Sequence, residues 1–262
     1  IFVPQTGIID YKAVAYKYAE KIRHFNGDIF PDNKVTDIKE ANGFIQVVTN
    51  RQTLTTRLVI NCTGLFSDKI AKLTGMPVDY RIIPFRGEYY KIKPEKEHLV
   101  KNLIYPVPDP NFPFLGVHFT RMINGGIEAG PNAVLAYKRE GYTKSDISFG
   151  DLAGTLGWKG FRKVAGKYWK TGLGEFYRSY SKNAFTKALQ ELLPDIEKND
   201  LVPGGSGVRA QACDRNGGLI DDFLILETEK VINVGNAPSP AATSSLSIGD
   251  HVASLALKRF DK

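Results

Sequence analysis

A chain of 262 residues, 42% hydrophobic and 24% charged, has the composition of a packed globular protein and the length for one large domain or two interleaved ones. No run approaches the ~20 apolar residues that cross a bilayer, and no leader pattern of basic, apolar and small-residue segments opens the chain. Cys62 and Cys213 are too few for a zinc site or a disulfide framework, which fits a reducing compartment, while the net charge of +7 suits nucleic acid, an anionic membrane surface, or an anionic substrate and cofactor.

Taken in chain order, the pattern predicts an α+β organisation. Asp10 offers an N-cap, and Tyr11, Val14, Tyr18, Ile22 and Phe25 recur at helical spacing before Asn26-Gly27 supplies a left-handed stop. Ile29-Phe30 and Lys34 to Lys39 read as short strands, and Phe44 to Thr49 with Arg57 to Ile60 as an antiparallel excursion returning to a buried strand. Asn61-Cys62-Thr63-Gly64 ends that strand, and Ser67-Asp68 caps a helix through Leu73. Strand-like runs follow at Ile82 to Ile92, Gly116 to Thr120 and Gly126 to Ala129. Ser145 to Lys170 and Asn183 to Leu193 read as helices, then Leu201 to Ala212, Leu219 to Leu226 and Val231 to Val234 as strands. Between Lys159 and Arg178 the basic residues are interleaved with Trp158, Phe161, Tyr168, Trp169, Phe176 and Tyr177. Such a mixture can stack on single-stranded nucleic acid. Without a nucleic-acid fold signature, the expectation is an amphipathic region whose aromatics pack inward, with no nucleic-acid partner.

The segment from Asn236 to Ser245 predicts a loop that opens a helix against a ligand. Gly235, Pro238 and Pro240 break the preceding strand, and Thr243, Ser244 and Ser245 offer hydroxyl caps to a helix running on to Phe260. Small residues at Ala241, Ala242 and Gly249 let something flat approach the backbone, and the helix N-terminus favours negative charge. The charged edge of a reduced flavin meets both conditions; an ordinary Pro-rich turn is the alternative. Gly205-Ser206-Gly207-Val208-Arg209-Ala210 fits the dinucleotide fingerprint, but Pro203-Gly204 stand where a buried strand should, and no acidic residue follows at the right spacing. That string therefore reads as a decoy. With no strand, Gly-rich turn and helix at its start, the chain reads as the C-terminal part of a longer protein.

Further segments occur in one order: Val3-Pro4-Gln5-Thr6-Gly7-Ile8-Ile9-Asp10-Tyr11, Pro84-Phe85-Arg86-Gly87-Glu88-Tyr89, Gly116-Val117-His118-Phe119-Thr120, Gly130-Pro131-Asn132-Ala133-Val134 and Gly207-Val208-Arg209-Ala210-Gln211. With them the chain, from Phe2 to about Leu257, resembles the FAD-dependent L-2-hydroxyglutarate oxidase/dehydrogenase family of D-amino-acid-oxidase-like flavoproteins. The resemblance implies an FAD-binding layer, 1–80 and 201–262, interleaved with a mixed or antiparallel-sheet substrate domain, 81–200. It implies FAD as cofactor, against Val35, Thr63, Gly64, Gly87, Pro240, Ala241, Ala242, Thr243 and Ser244. It implies a small dianionic hydroxy acid as substrate and a quinone-type acceptor or oxygen. The expected location is cytoplasmic, with a peripheral contact on the inner membrane left open. Another small anionic substrate, such as an amino acid or glycerol 3-phosphate, or a non-catalytic binding module, are the alternatives.

Oxidising a hydroxy acid at a flavin needs a base near the hydroxyl and fixed positive charge near the carboxylates. Of four histidines, His118 lies in a strand-like segment matching the family pattern and is the candidate base; a satisfied core histidine is the alternative reading. The family's His-rich N-terminal segment is absent from this sequence, which leaves the base open. Arg86 and Arg209 are the candidate carboxylate forks, with Asn132 presenting its amide beside them. Carboxylate partners among Glu88, Asp214, Asp221 and Asp222 are the structural alternative. Lys138 and Arg139 read as a solvated face.

Overall fold

The structure, a computed structural model, describes residues 3–107, 116–238 and 241–260. Helix α1 (Tyr11–His24) ends where Asn26 takes a positive φ of 59° and the Gly27 N–H reaches the Ile22 carbonyl. It forms where the spacing predicts, yet none of its residues is buried. Ile29-Phe30 is not a strand. β1 (Val35–Ala41) and β2 (Phe44–Thr49) form a hairpin with Ala41 opposite Phe44. Asn42 and Gly43, both at positive φ, close it with the two-residue geometry that matches strand twist. β3 (Thr53–Thr56), β4 (Val59–Asn61) and α2 (Ser67–Leu73) follow. Next come the long β5 (Tyr80–Ile92), β6 (His118–Arg121), β7 (Ile127–Gly130) and the two-residue β8 (Val134–Leu135).

The single helix expected over Ser145 to Lys170 is replaced by α3 (Phe149–Gly157), α4 (Lys159–Lys167) and the start of α5 (Trp169–Tyr180). The first break lies at Trp158, whose extended backbone (ψ 121°) follows Gly157 while its side chain is buried. The expectation that the aromatics of this region pack inward holds for Trp158 and Phe161, both buried, and fails for α5, where Trp169 and Tyr177 are exposed. Helix α6 (Lys182–Gln190) leads to β9 (Leu201–Asp214), β10 (Leu224–Glu227), β11 (Val231–Asn236) and α7 (Ser245–Leu257). The Gly205 to Ala210 string lies inside β9 as continuous strand, in keeping with its reading as a decoy.

Contacts within the chain define two compact units: one of Ile1–Asp10 with Ile83–Arg209, the other of Tyr11–Ile82 with Ala210–Lys262. The breaks fall at 10/11, 82/83 and 209/210, so the first ten residues group with the middle of the chain. The first unit contains a sheet ordered β6-β7-β5-β8, with β9 also paired to β5. Its core gathers Ile92, Phe119, Ile127, Phe185, Leu189 and Leu201. The second unit holds the β1-β2-β3 sheet and a β10-β11-β4 sheet in which β11 and β4 run parallel. Helix α7 packs Val252 and Ala256 on Ile232 and Val234, which fixes the helix against the buried strand β11.

Candidate active site

In the Tyr11–Ile82 and Ala210–Lys262 unit, a cleft of about 500 Å³ opens at the carboxyl ends of β4 and β11, the usual place for a ligand on parallel strands. Its walls are apolar at Ile60, Ile82, Val234 and Ile248. Elsewhere they are small, at Gly64, Gly235, Ala237, Ala241, Ser245 and Gly249. The strand-end turn is held from beneath. Asn61, 2% exposed, donates to the Ser67 carbonyl (3.0 Å) and Asn233 Oδ1 (2.8 Å), and its own Oδ1 accepts from the Thr63 N–H (3.2 Å) and Thr63 Oγ1 (2.7 Å). Ser67 Oγ donates to the Gly235 carbonyl at 2.7 Å, tying the turn to β11. Gly64 takes φ +51°, and a Cβ built there or at Gly249 would meet nothing within 4 Å. Gly64 is favoured by its left-handed backbone, while Gly249 leaves open space on the cleft wall. Cys62 lies on the same wall, and burial raises its thiol pKa.

The expected cofactor residues divide. Gly64 and Ala241 line the cleft. Thr63 is in the turn beside it, Ala242 to Ser244 lead into α7, and Val35 begins β1. Ser244 occupies the N-cap of α7 without a side-chain cap bond, so the hydroxyl cap expected there does not form. The helix N-terminus, whose first N–H groups have no partner inside the helix, still lies on the cleft wall through Ser245. Pro240 lies outside the described residues. Gly87 belongs to the other unit, where a Cβ would come 2.7 Å from Pro131 Cβ. Close packing against Pro131 accounts for a glycine at this position.

In the Ile83–Arg209 unit, strand alternation sorts the candidates. Arg86 and Glu88 share one side of β5, and Gly87 and Tyr89 share the other. Arg86, 3% exposed, donates from Nε (3.1 Å) and Nη2 (3.0 Å) to Glu88 Oε1, and from Nη1 to the Thr143 carbonyl (2.9 Å). Asn132 is also turned to Glu88: its Oδ1 accepts the Glu88 N–H (2.8 Å) and its Nδ2 donates to Glu88 Oε2 (3.0 Å). Ser179 Oγ donates to the same Oε2 at 2.6 Å. Arg86 and Asn132 thus build a buried polar network around Glu88, the carboxylate alternative. Arg139, expected to be solvated, is 3% exposed and faces Asp151 at 3.9 Å.

His118 lies within electrostatic reach of Arg209. The His118 ring stacks on Tyr105, 4.3 Å between centroids and 16° from parallel, with Nδ1 3.2 Å from the Gly116 carbonyl. That contact makes Nδ1 the donor in the neutral ring and leaves Nε2 with a lone pair. Burial lowers the His118 pKa, the Gly116 contact opposes this, and the nearby Arg209 charge lowers it further. Burial also lowers the pKa of Arg209, countered by Tyr89; the Tyr89 phenol is itself raised by burial and by Glu128 and lowered by Arg209. A neutral imidazole, a guanidinium and a phenol sharing one field can take up a proton, hold a carboxylate and donate to it. Tyr89 and Tyr105 were not singled out from sequence. The signal for Tyr89 is its parity with Gly87 on β5, opposite the Arg86–Glu88 pair.

The sequence profile of the FAD dependent oxidoreductase family (DAO) matches residues 1–255. Over 261 residues the chain is 64% identical to an L-2-hydroxyglutarate dehydrogenase of Indibacter alkaliphilus, covering 99% of this chain and 65% of that one. The mitochondrial L-2-hydroxyglutarate dehydrogenase of Nematostella vectensis is 49% identical over 279 residues, 99% of this chain and 61% of the relative. The chain thus spans less than two thirds of the length of these curated relatives. Among solved structures, the FAD-bound L-alpha-glycerophosphate oxidase of Mycoplasma pneumoniae superimposes with a TM-score of 0.62 at 20% identity, covering 88% of this chain and 51% of that one. Likeness at that identity is likeness of fold.

Proposed function

This chain belongs to the family of FAD-dependent oxidoreductases, and from that premise we propose that its protein oxidises L-2-hydroxyglutarate to 2-oxoglutarate. The observation that carries the reading is the His118 ring, stacked on Tyr105 and anchored through Nδ1 at the Gly116 carbonyl, with Arg209 in electrostatic reach of it and of Tyr89. In this reading the cleft beside α7 holds FAD. Its small residues admit a flat ring system, its apolar walls exclude water, and the helix N-terminus favours negative charge on the ring. When bound, FAD supplies the hydride acceptor. His118 Nε2 takes the proton of the substrate hydroxyl as the carbinol carbon loses its hydride. Arg209 holds a carboxylate in its planar fork, and Tyr89 donates a hydrogen bond to the same group. Arg86, Asn132 and Gly87 serve the scaffold beneath these residues. A quinone-type acceptor or oxygen and a peripheral membrane contact belong to the same reading.

The test is steady-state turnover of the full-length protein with an artificial electron acceptor, comparing L-2-hydroxyglutarate with its D enantiomer, glycerol 3-phosphate and glycine. Formation of 2-oxoglutarate from the L enantiomer alone is expected. Faster oxidation of glycerol 3-phosphate or glycine overturns the substrate assignment.

A further inference from the structure

The segment before Tyr105 runs antiparallel along β6. Ile104 and Phe119 exchange both backbone hydrogen bonds, at 3.0 and 2.9 Å. The flanking pair, Tyr105 opposite His118, is therefore a non-hydrogen-bonded one, in which side chains come closest. That register accounts for the stacking of the two rings, and it sets the Tyr105 hydroxyl 3.4 Å from Thr120 Oγ1 on the same side of the strand. One step further along, it puts Asn102 opposite Arg121.

A second cleft, of about 520 Å³, opens on the other side of Tyr105, within the Ile1–Asp10 and Ile83–Arg209 unit. Tyr105 is part of its wall, together with Lys101, Asn102, Arg121 and the 3–8 segment. The lining holds two cations and no Asp or Glu. Elsewhere in this unit Arg86, Arg139 and Arg178 each face a carboxylate. Arg121 and Lys101 have no such partner among the described residues. A cleft with this lining favours an anion. Arg121 is half-buried while Lys101 and Asn102 are exposed, so screening leaves Arg121 the larger share of the attraction.

We propose that this cleft receives the second carboxylate of a dicarboxylate substrate, the one remote from the reacting carbon, with Arg121 as its planar fork, Asn102 as a further donor and Lys101 as supporting charge. The inference rests on the reading of His118 and Arg209 as the reacting end of the site, and it names what selects the substrate class. Arg209 alone does not distinguish a 2-hydroxy monocarboxylate from a dicarboxylate. A second cationic subsite does, because only the dicarboxylate replaces the water on Arg121 with a charge-assisted hydrogen bond. The length is suitable: Arg121 lies three residues beyond His118 on β6, about 10 Å of strand. A guanidinium side chain and a five-carbon diacid together cover that span.

Calorimetric titration of the full-length, flavin-loaded protein with glutarate and with valerate tests the proposal. Both are five-carbon acids, differing in the second carboxylate, and neither has a hydroxyl to oxidise, so binding is read whether or not turnover occurs. Glutarate is expected to bind at least about tenfold more tightly. Arg121→Met should erase that advantage and leave valerate affinity and the melting curve unchanged. Arg121→Lys should keep part of it, and Lys101→Met should reduce it roughly threefold. In turnover, Arg121→Met should raise KM for L-2-hydroxyglutarate about tenfold with kcat held, the pattern of a contact made equally in ground and transition states. Equal affinity of the unaltered protein for the two acids, or a glutarate advantage that survives Arg121→Met combined with Lys101→Met, overturns the proposal. A glutarate advantage lost in Arg121→Met by a protein that leaves L-2-hydroxyglutarate unoxidised supports the subsite and overturns the reaction assigned above.

Discussion

Replacing Glu88 by alanine tests the proposal that Arg86 serves the scaffold and not the substrate. The carboxylate accepts two bonds from Arg86, one from Asn132 and one from Ser179, while Arg86 is 3% exposed and the Glu88 side chain 17%. Glu88→Ala leaves the guanidinium with only the Thr143 carbonyl and removes the acceptor for two further donors. Breaking a buried pair by removing one partner costs about 3–5 kcal/mol, because the surviving charge stays desolvated. With an unfolding entropy of ~2.1 cal/mol/K per residue, this lowers Tm by about 5–9 °C in a chain of this size. Arg86→Met on the Glu88→Ala background removes the orphaned charge and should recover about 2 kcal/mol, so the two changes are not additive. Urea and thermal melts of the two single variants and the double variant measure this. A loss below about 1 kcal/mol for Glu88→Ala, or strict additivity, would refute the reasoning and return Arg86 to the candidates for substrate binding.

Arg209→Ala in the full-length protein is expected to lower kcat/KM for L-2-hydroxyglutarate by the equivalent of about 2–5 kcal/mol, with Arg209→Lys recovering only part; unchanged kinetics with a lowered Tm would make Arg209 structural. Because burial depresses the His118 pKa, the active neutral imidazole should persist below the ordinary histidine range, so kcat/KM falls on an acid limb that His118→Asn removes. The same shift means the unfolded chain takes up this proton first: stability should decline as pH falls through the ordinary histidine range and level off below the folded-state pKa. Gly249→Leu, at a helical position with nothing within 4 Å of an added Cβ, should hold or raise stability by up to about 1 kcal/mol while cofactor occupancy falls. Full flavin content in that variant would move the cofactor away from α7.

The elements that local chemistry dictates were legible in the sequence. The apolar spacing of α1 with its Asn26-Gly27 stop, the end of β4 at Asn61, and the strand-breaking loop before α7 all stand where residue types place them. Arg209 and His118 could be singled out because an Arg and a His among glycine and apolar residues are costly to bury without a task. Arg86 looked the same from sequence. Its partner sits two residues on, and only the period-two alternation of β5 reveals that the pair shares a side. Helix α5 was illegible for a different reason. Pattern reading assumes that apolar faces turn inward, but here Glu175 and Ser179 are claimed by backbone and carboxylate partners far along the chain, and tertiary hydrogen bonds override the hydrophobic pattern.

The central claim is tested most directly by anaerobic mixing of the full-length, flavin-loaded protein with L-2-hydroxyglutarate. The account predicts bleaching of the oxidised flavin band with one 2-oxoglutarate formed per flavin reduced, and strong slowing in Arg209→Ala. A flavin that stays oxidised with L-2-hydroxyglutarate, or bleaches equally with the D enantiomer, would contradict it.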